Sequence, residues 1–221
     1  MAVVLLVRHG QASFGGPDYD QLSERGEQQS RIVGERLKAI GPIHRVVHGG
    51  LVRQRQTADQ CLEVLGEDIP RVVDERWDEY ASGDLMRPVA ADEGLADEQD
   101  PRRAFQALLE LALSRWTSGE HDTDYEESYP DFHARVRGAL DAVLADLDRS
   151  ETVAVFTSGG VIAAVVAQWL GADGAGWAAL NRVVVNSSIT KLVHGRSGTN
   201  LLSVNDHAHL EDQPRELLTY R

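Results

Sequence analysis

"VVLLVRHG", residues 3–10, is an apolar run that ends abruptly on an arginine, a histidine and a glycine. Five consecutive apolar residues without alternation are typical of a strand that is buried on both faces, as in a parallel sheet. Side chains at the carboxyl end of such a strand reach the edge where open α/β sheets bind their ligands. The stretch therefore predicts a central strand that presents Arg8 and His9 to a functional site.

The rest of the chain repeats the order of strand, loop and helix. Further strands are predicted at residues 45–48, 71–73, 152–156, 182–194 and 201–205. Helices are predicted at residues 23–40, 51–65 and 161–170, the first capped by Ser23 and stopped by Gly41 and Pro42. Alternation of buried strands with helices predicts a three-layer α/β/α sandwich with a largely parallel central sheet.

The middle of the chain has a different character. Residues 84–124 contain no convincing strand and many acids, and within them Asp100 and Pro101 begin a helix with a regular apolar stripe. Another helix is predicted to follow Ser128. We expect a single domain over residues 1–221 with a helical cap insertion at 84–124. The alternative is a decorated surface, although insertions of this length are often functional lids.

The composition limits the classes of function. The chain has 221 residues and a formal net charge of −13, which disfavours nucleic acid or an anionic membrane as its main partner. No apolar run approaches the roughly 20 residues of a membrane span, and the first residues lack the basic region and cleavage site of a secretory signal. The single cysteine, Cys61, fits a reducing compartment. We therefore expect a cytoplasmic protein whose partner is a small anionic metabolite.

Three of the predicted strands end in polar loops that contain glycine, at residues 8–10, 48–50 and 157–160. Glycine lets the backbone approach a ligand closely, and a helix that starts there offers N–H groups that suit phosphate. Arg53 lies in the first predicted turn of the helix behind the second loop, close to the same edge. Guanidinium groups bind phosphate oxygens in pairs, and a neutral imidazole can attack phosphorus. These loops therefore predict a site for a phosphoryl group.

The stretches "LLVRHGQ" and "LVRQRQTA" together resemble the motifs of the histidine phosphatase superfamily, also called phosphoglycerate-mutase-like. The resemblance implies that His9 is the phosphorylated nucleophile and that Arg8 binds phosphate. It implies that Arg53 is the second arginine of the pocket, since Arg55 lies two residues further along the helix and should point elsewhere.

The family's proton donor is an acid shortly before a glycine. The stretch "WDEYASG" fits this pattern, with Glu79 four residues before Gly83. The resemblance therefore implies that Glu79 is the catalytic acid. Glu75 and Asp78 remain alternatives, because a small shift of the alignment would select either of them.

One position departs from the family pattern. Members usually carry a second histidine in a Ser-His-Gly-Gly-like loop, whereas here residues 156–160 read "FTSGG" and place Ser158 at that position, followed by Gly159. A serine hydroxyl can donate a hydrogen bond to phosphate but supplies no positive charge, and hydrogen bonds from charged groups are about twice as strong. We therefore expect Ser158 and Gly159 to bind substrate in a weakened pocket.

Two further histidines and the loop after the nucleophile bear on this pocket. His48 ends the strand that leads to Arg53 and is a candidate to contact phosphate. His209, near the end of the chain, is expected to be structural. Where the family often has an asparagine, the loop after His9 offers Gly15, Gly16 or the neighbouring Ser13.

The resemblance implies a metal-independent phosphatase that acts on a small phosphomonoester through phosphohistidine, without a cofactor. Glu79 would protonate the leaving oxygen and then activate water. The sequence has no compact His/Cys spacing of metal ligands. Two alternatives stay open. Loss of the second histidine favours a weak or inactive member that binds a phosphorylated ligand for regulation. A phosphomutase is less favoured, because the missing charge would weaken retention of the phosphoryl group.

Overall fold

The computed structural model describes residues 1–13, 20–66, 68–92 and 101–220. The strands are β1 (Ala2–Arg8), β2 (Arg45–His48), β3 (Arg71–Val73), β4 (Thr152–Thr157), β5 (Ile189–Gly195) and β6 (Gly198–Asp206). The helices are α1 (Glu24–Ile40), α2 (Val52–Leu65), α3 (Ser82–Asp92), α4 (Pro101–Thr117), α5 (Tyr129–Ala145), α6 (Gly159–Leu170), α7 (Gly174–Val183) and α8 (Ala208–Glu211).

The strands form a mixed six-stranded sheet in the order β3-β2-β4-β1-β5-β6. β3, β2, β4 and β1 are parallel, whereas β5 and β6 are antiparallel. The predicted α/β fold with a mostly parallel sheet is confirmed. Arg8 pairs with Thr157 and His48 pairs with Phe156, so the carboxyl ends of β1, β2 and β4 meet at one edge of the sheet.

Each face of the sheet carries its own apolar core. Leu5 and Val7 of β1 pack with α1 and α2, while Val4 and Leu6 face the opposite side and join a larger cluster with α3 to α7. Because successive side chains of a strand point to opposite faces, an unbroken apolar strand is the one that suits a position between two helical layers. The observed layers thus follow directly from the sequence of β1.

The prediction of a strand over residues 182–194 is wrong in its first part. Residues 174–183 form α7, whose N-cap Asp173 accepts a hydrogen bond from the backbone N–H of Gly176, and β5 begins only at Ile189. Two glycines at the start of α7 weaken its intrinsic helix signal. Trp177, which is fully buried in the larger core, supplies the tertiary contact that compensates.

The helices of the middle region pack onto the sheet domain. Leu85 of α3 and Leu109 of α4 lie in the same apolar cluster as Val161 of α6. α3, which is short and contains Pro88, was not predicted from the sequence. Asp100, the predicted start of the next helix, lies outside the described residues, and α4 begins at Pro101. Among the helices that the structure describes, none combines the length and the apolar character needed to cross a membrane.

Candidate active site

His9 directly follows β1, and its backbone is fixed on two sides. Its N–H donates to the carbonyl oxygen of Thr157 at 2.9 Å, which holds it beside the end of β4. Gly10 lies against the start of α1, where a β-carbon would come within 2.3 Å of the carbonyl oxygen of Gly26. Only glycine allows that approach, so the Arg-His-Gly sequence locks the imidazole at the sheet edge.

The hydrogen bonds of the His9 ring define its tautomer. Nδ1 lies 2.7 Å from the carbonyl oxygen of Gly10, and because a carbonyl only accepts, Nδ1 carries the hydrogen. Nε2 therefore holds the lone pair of the neutral ring. Burial lowers the pKa of His9 well below its ordinary value of 6.5, and the positive charges of Arg53 and Arg8 lower it further. The ring is a buried, neutral imidazole with a nucleophilic nitrogen.

Arg53 contacts this nitrogen, and Arg8 lies close enough for its charge to act on the same ring. Arg53, in the first turn of α2, donates from Nε to His9 Nε2 at 3.2 Å. Its Nη1 also forms an ion pair with Asp20 Oδ1 at 2.5 Å. The guanidinium of Arg8 lies over Gly159, where a β-carbon would stand 3.4 Å from Arg8 Nε, and its Nη1 donates to the carbonyl oxygen of Val184. The structure thus brings Arg8, His9 and Arg53 together as the sequence predicts.

Glu79 is a second carboxyl group near these arginines, whose charges act on it. Its Oε2 accepts from the backbone N–H of Gly160 at 2.9 Å, and a β-carbon on Gly160 would lie only 2.3 Å from Oε1. The absence of a side chain at residue 160 is what admits the carboxyl group. Burial raises the pKa of Glu79, opposed by the Gly160 hydrogen bond and by the charges of Arg53 and Arg8. A carboxyl group that keeps its proton more readily than usual suits a general acid.

The two alternative acids have other contacts. Asp78 accepts at Oδ1 from the N–H groups of Gly50 at 2.6 Å and Leu51 at 3.3 Å, so it caps the loop before α2. Glu75 is exposed at the start of a short 3₁₀ helix. The geometry therefore favours Glu79 over both.

The segment that carries Glu79 is held by contacts from the middle helices. Arg135 of α5 donates from Nη1 to the carbonyl oxygens of Arg76 at 2.8 Å and Asp78 at 2.9 Å. Glu127 holds this guanidinium through two bonds of 2.6 and 2.8 Å. The ring of Tyr80, the next residue, packs at 5.8 Å from that of Trp177. Contacts on both sides of Glu79 thus fix where its carboxyl group lies.

Replacing Glu79 by glutamine is expected to stabilise the protein above neutral pH. Because the folded-state pKa is raised, folding favours the protonated carboxyl group. That contribution is complete below the unfolded value near 4.5 and is lost as pH rises through the folded pKa. Glutamine stays neutral and keeps an oxygen for the Gly160 N–H. The difference in Tm between Glu79→Gln and wild type should therefore increase by roughly 2–4 °C as the pH is raised from about 5 to about 8. An unchanged difference would contradict the raised pKa.

Ser158 directly follows Thr157, which pairs with Arg8 of β1, and its side chain contacts a residue that was not predicted from the sequence. Its Oγ accepts from Nε2 of Gln54 at 2.8 Å, and both side chains are fully buried. The same amide nitrogen donates to the carbonyl oxygen of Trp77 at 3.1 Å. Since Ser158 Oγ accepts from the amide, its own hydrogen remains available to donate. Gln54 follows Arg53 directly, but its position in the chain does not indicate a contact with residue 158.

The structure does not bring His48 to this cluster. Its Nε2 accepts from Nε of Arg71 at 2.8 Å, and Arg71 pairs with Asp59. The reason is that α2 presents Arg53 to the end of β1, whereas the end of β2 faces β3 and its arginine. His209 contacts the carbonyl oxygen of Ser187 at 3.0 Å.

Other predicted neighbours of the site fall into two groups. Gly15 and Gly16 lie outside the described residues. The backbone N–H of Ser13 donates to the carbonyl oxygen of Gln21 at 2.7 Å.

Among the described residues, no three His, Cys, Asp or Glu side chains are grouped so that they could hold a metal ion. A groove of about 520 Å³, lined by Met1, Leu147 and others, lies at the opposite edge of the sheet and is remote from His9.

The fold agrees with the comparison to known families. The family model of the histidine phosphatase superfamily (branch 1) matches residues 4–207, and the chain belongs to this superfamily. A protein named probable phosphoglycerate mutase GpmB from Erwinia tasmaniensis is 30% identical over 223 residues, which cover 96% of each chain.

Solved structures show the same fold. A mycobacterial glucosyl-3-phosphoglycerate phosphatase, solved with VO3, is 26% identical and has a TM-score of 0.65, covering 92% of this chain and 99% of that one. A phosphoserine phosphatase from Entamoeba histolytica, solved with phosphoserine, is 19% identical with a TM-score of 0.65, covering 95% of this chain and 100% of that one. The comparisons thus support an enzyme of the phosphatase or mutase type.

Proposed function

We propose that the protein is a metal-independent phosphatase that hydrolyses a small phosphomonoester through a phosphohistidine at His9. The observation that carries the proposal is the state of the ring. Nδ1 is committed to the carbonyl oxygen of Gly10, while Nε2 presents its lone pair to the guanidinium of Arg53. A nucleophilic nitrogen next to a guanidinium is suited to a phosphoryl group, whose oxygens the cation binds while phosphorus is attacked.

Each step uses a residue of the cluster. The lone pair of His9 Nε2 forms the N–P bond as the ester P–O bond breaks, and Arg8 and Arg53 stabilise the phosphoryl oxygens. The proton of Glu79 passes to the leaving oxygen. The resulting carboxylate then takes a proton from water, whose oxygen attacks phosphorus. The N–P bond breaks, its electron pair returns to Nε2, and inorganic phosphate leaves.

The charges at the site favour hydrolysis over phosphoryl retention. Two arginines face two carboxyl groups, Glu79 and Asp20, around a neutral imidazole. Ser158, which we assign to the position of the second histidine, adds no positive charge. A mutase must keep its phosphoryl group through the exchange of ligands, which this balance disfavours. The likeness to a phosphatase solved with VO3 supports the same choice.

The test of the proposal is a screen of phosphorylated metabolites with the purified protein, read by release of inorganic phosphate. His9→Ala supplies the blank. Turnover of at least one phosphomonoester that is absent in the variant and insensitive to a chelator is the expected result. Binding of a phosphorylated compound without any turnover would contradict the proposal and favour a regulatory role for the site.

Ser158→His alone is expected not to tighten phosphate binding, because the imidazole would meet the amide of Gln54, 2.8 Å from Ser158 Oγ. Ser158→His/Gln54→Ala removes that obstacle and should bind phosphate several-fold more tightly. A charged hydrogen bond contributes about 1.5–3 kcal/mol against about 1 kcal/mol for a neutral one, and about 1.4 kcal/mol is tenfold.

Calorimetric titration of phosphate near pH 6 and near pH 8 measures this gain. It should be larger at the lower pH, because a histidine with an ordinary pKa of about 6.5 must be protonated to contribute. Gln54→Ala alone is the control. A double variant that binds no more tightly than this control at either pH would contradict the placement of Ser158 next to the phosphoryl group.

A further inference from the structure

Asp20 makes two contacts that tie it to the nucleophile's arginine. Its Oδ1 lies 2.5 Å from Nη1 of Arg53, and its Oδ2 accepts from the backbone N–H of Val52 at 2.7 Å. α2 has no capping bond from its own N-cap side chain, that of Leu51. The carboxylate therefore supplies, from a distant part of the chain, the acceptor that the start of this helix needs.

This arrangement places an anion on the guanidinium that also contacts the nucleophile. Arg53 Nε donates to His9 Nε2, while its Nη1 is occupied by Asp20. The side chain of Arg53 is only 13% exposed and that of Asp20 only 28%, so solvent screens the pair less than it would at the surface. A phosphate bound at His9 and Arg53 would lie close to the carboxylate of Asp20.

We propose that Asp20 is a fixed counter-ion of the anion site, which orients Arg53 and weakens the affinity of the site for phosphate. This inference rests on the proposed function and extends it from catalysis to the affinity for substrate and product. The carboxylate holds Arg53 against His9 before the substrate arrives. Its charge repels the dianion once it is bound, so inorganic phosphate, the product, is released readily.

The charge balance explains why such a counter-ion has a large effect here. Arg8 and Arg53 are the cations that meet at His9, and the ring itself is neutral because burial and the two arginines lower its pKa. Glu79 must give up its proton during the reaction. It takes a proton back from water before inorganic phosphate leaves, so among the described residues Asp20 is the carboxylate that then offsets the charge of the two arginines around the product.

Asp20→Asn is the informative substitution, because asparagine keeps an oxygen for the N–H of Val52 and loses the charge. We expect it to lower the dissociation constant of inorganic phosphate and its product-inhibition constant by the same factor, on the order of five- to tenfold at low ionic strength. The gain should shrink as salt is added. Asp20→Glu should restore values close to wild type. Asp20→Ser, which also keeps an acceptor oxygen, repeats the test if the asparagine variant folds poorly.

Asp146→Asn is the matched control. It removes the same charge from an ion pair with Arg45, at the start of β2 and so at the opposite edge of the sheet. Phosphate binding that is unchanged or weaker in Asp20→Asn, in a protein with wild-type Tm, would overturn the inference alone. If neither wild type nor variant binds phosphate, the proposed function falls as well. A similar gain in phosphate affinity in Asp146→Asn would show that the effect comes from the net charge of the protein. That result would also overturn the role of Asp20.

Discussion

Replacing His9 by alanine is expected to lower phosphatase turnover by at least about a thousandfold, which is about 4 kcal/mol of transition-state stabilisation. In the proposed mechanism the imidazole supplies the nitrogen that bonds to phosphorus, and this nitrogen accepts a hydrogen bond from Nε of Arg53. Affinity for phosphate should change far less, because both arginines remain. The measurement is steady-state kinetics with the best substrate from the screen, together with phosphate titration of the same variant.

His194→Asn is the matched control for this substitution. His194 pairs with Ala2 across β1 and β5, at the edge of the sheet opposite His9, and its Nδ1 contacts Thr199 Oγ1 at 2.8 Å. This variant should keep wild-type turnover. Equal losses in the two variants would indicate general destabilisation and would count against His9 as the nucleophile.

Glu79→Gln is expected to lower turnover of an alkyl phosphate by about a hundredfold to ten-thousandfold, the usual contribution of general acid–base catalysis. The effect should depend on the leaving group. Nitrophenolate leaves without a proton, so p-nitrophenyl phosphate should still phosphorylate His9 quickly in the variant. Hydrolysis of the intermediate still needs a base for water. We therefore expect a burst of nitrophenol equal to the enzyme concentration, followed by a slow steady state.

Glu75→Gln is the control for this experiment, because Glu75 is an exposed acid of the same segment. It should behave like wild type. Loss of the burst in Glu79→Gln, or a leaving-group effect that appears in Glu75→Gln instead, would contradict the assignment of the acid.

The pH profile of the activity tests the roles assigned to His9 and Glu79. His9 must be neutral to attack, and its pKa is lowered by burial and by the two arginines, so the acid limb should lie below the ordinary histidine range. Glu79 must be protonated to act as an acid, and burial raises its pKa. Activity should therefore fall as pH rises through that value. Glu79→Gln should flatten the alkaline limb and leave the acid limb in place.

The local sequence was sufficient to predict the part of the site that lies at the carboxyl end of β1. The apolar run before Arg8 and His9 determines a doubly buried strand, and its carboxyl end determines where the two side chains project. Arg53 was predictable from a similar local pattern, since it lies in the first turn of the helix that follows β2. The predicted fold depends on hydrophobic periodicity, which is a property of neighbouring residues.

The remaining contacts join residues that are far apart in the chain. Asp20 reaches Arg53, and Gln54 reaches Ser158, and no local pattern marks either pair. His48 shows the converse limit. It lies at the carboxyl end of a strand and precedes a glycine, much as His9 directly follows β1 and precedes Gly10, and its Nδ1 also contacts the next carbonyl oxygen, 2.5 Å away. The residues around it are different. Arg71 donates to its Nε2 and pairs with Asp59, so His48 has a structural role.

The covalent intermediate is the most direct test of the account. Glu79→Gln should be mixed with p-nitrophenyl phosphate, quenched in base within the burst, and digested for mass spectrometry, with a parallel sample quenched in acid. We predict one phosphoryl group per chain, on the peptide that contains His9, stable in base and lost in acid. Phosphate on a different residue, or a burst without any phosphorylated peptide, would contradict the central claim that His9 is the nucleophile.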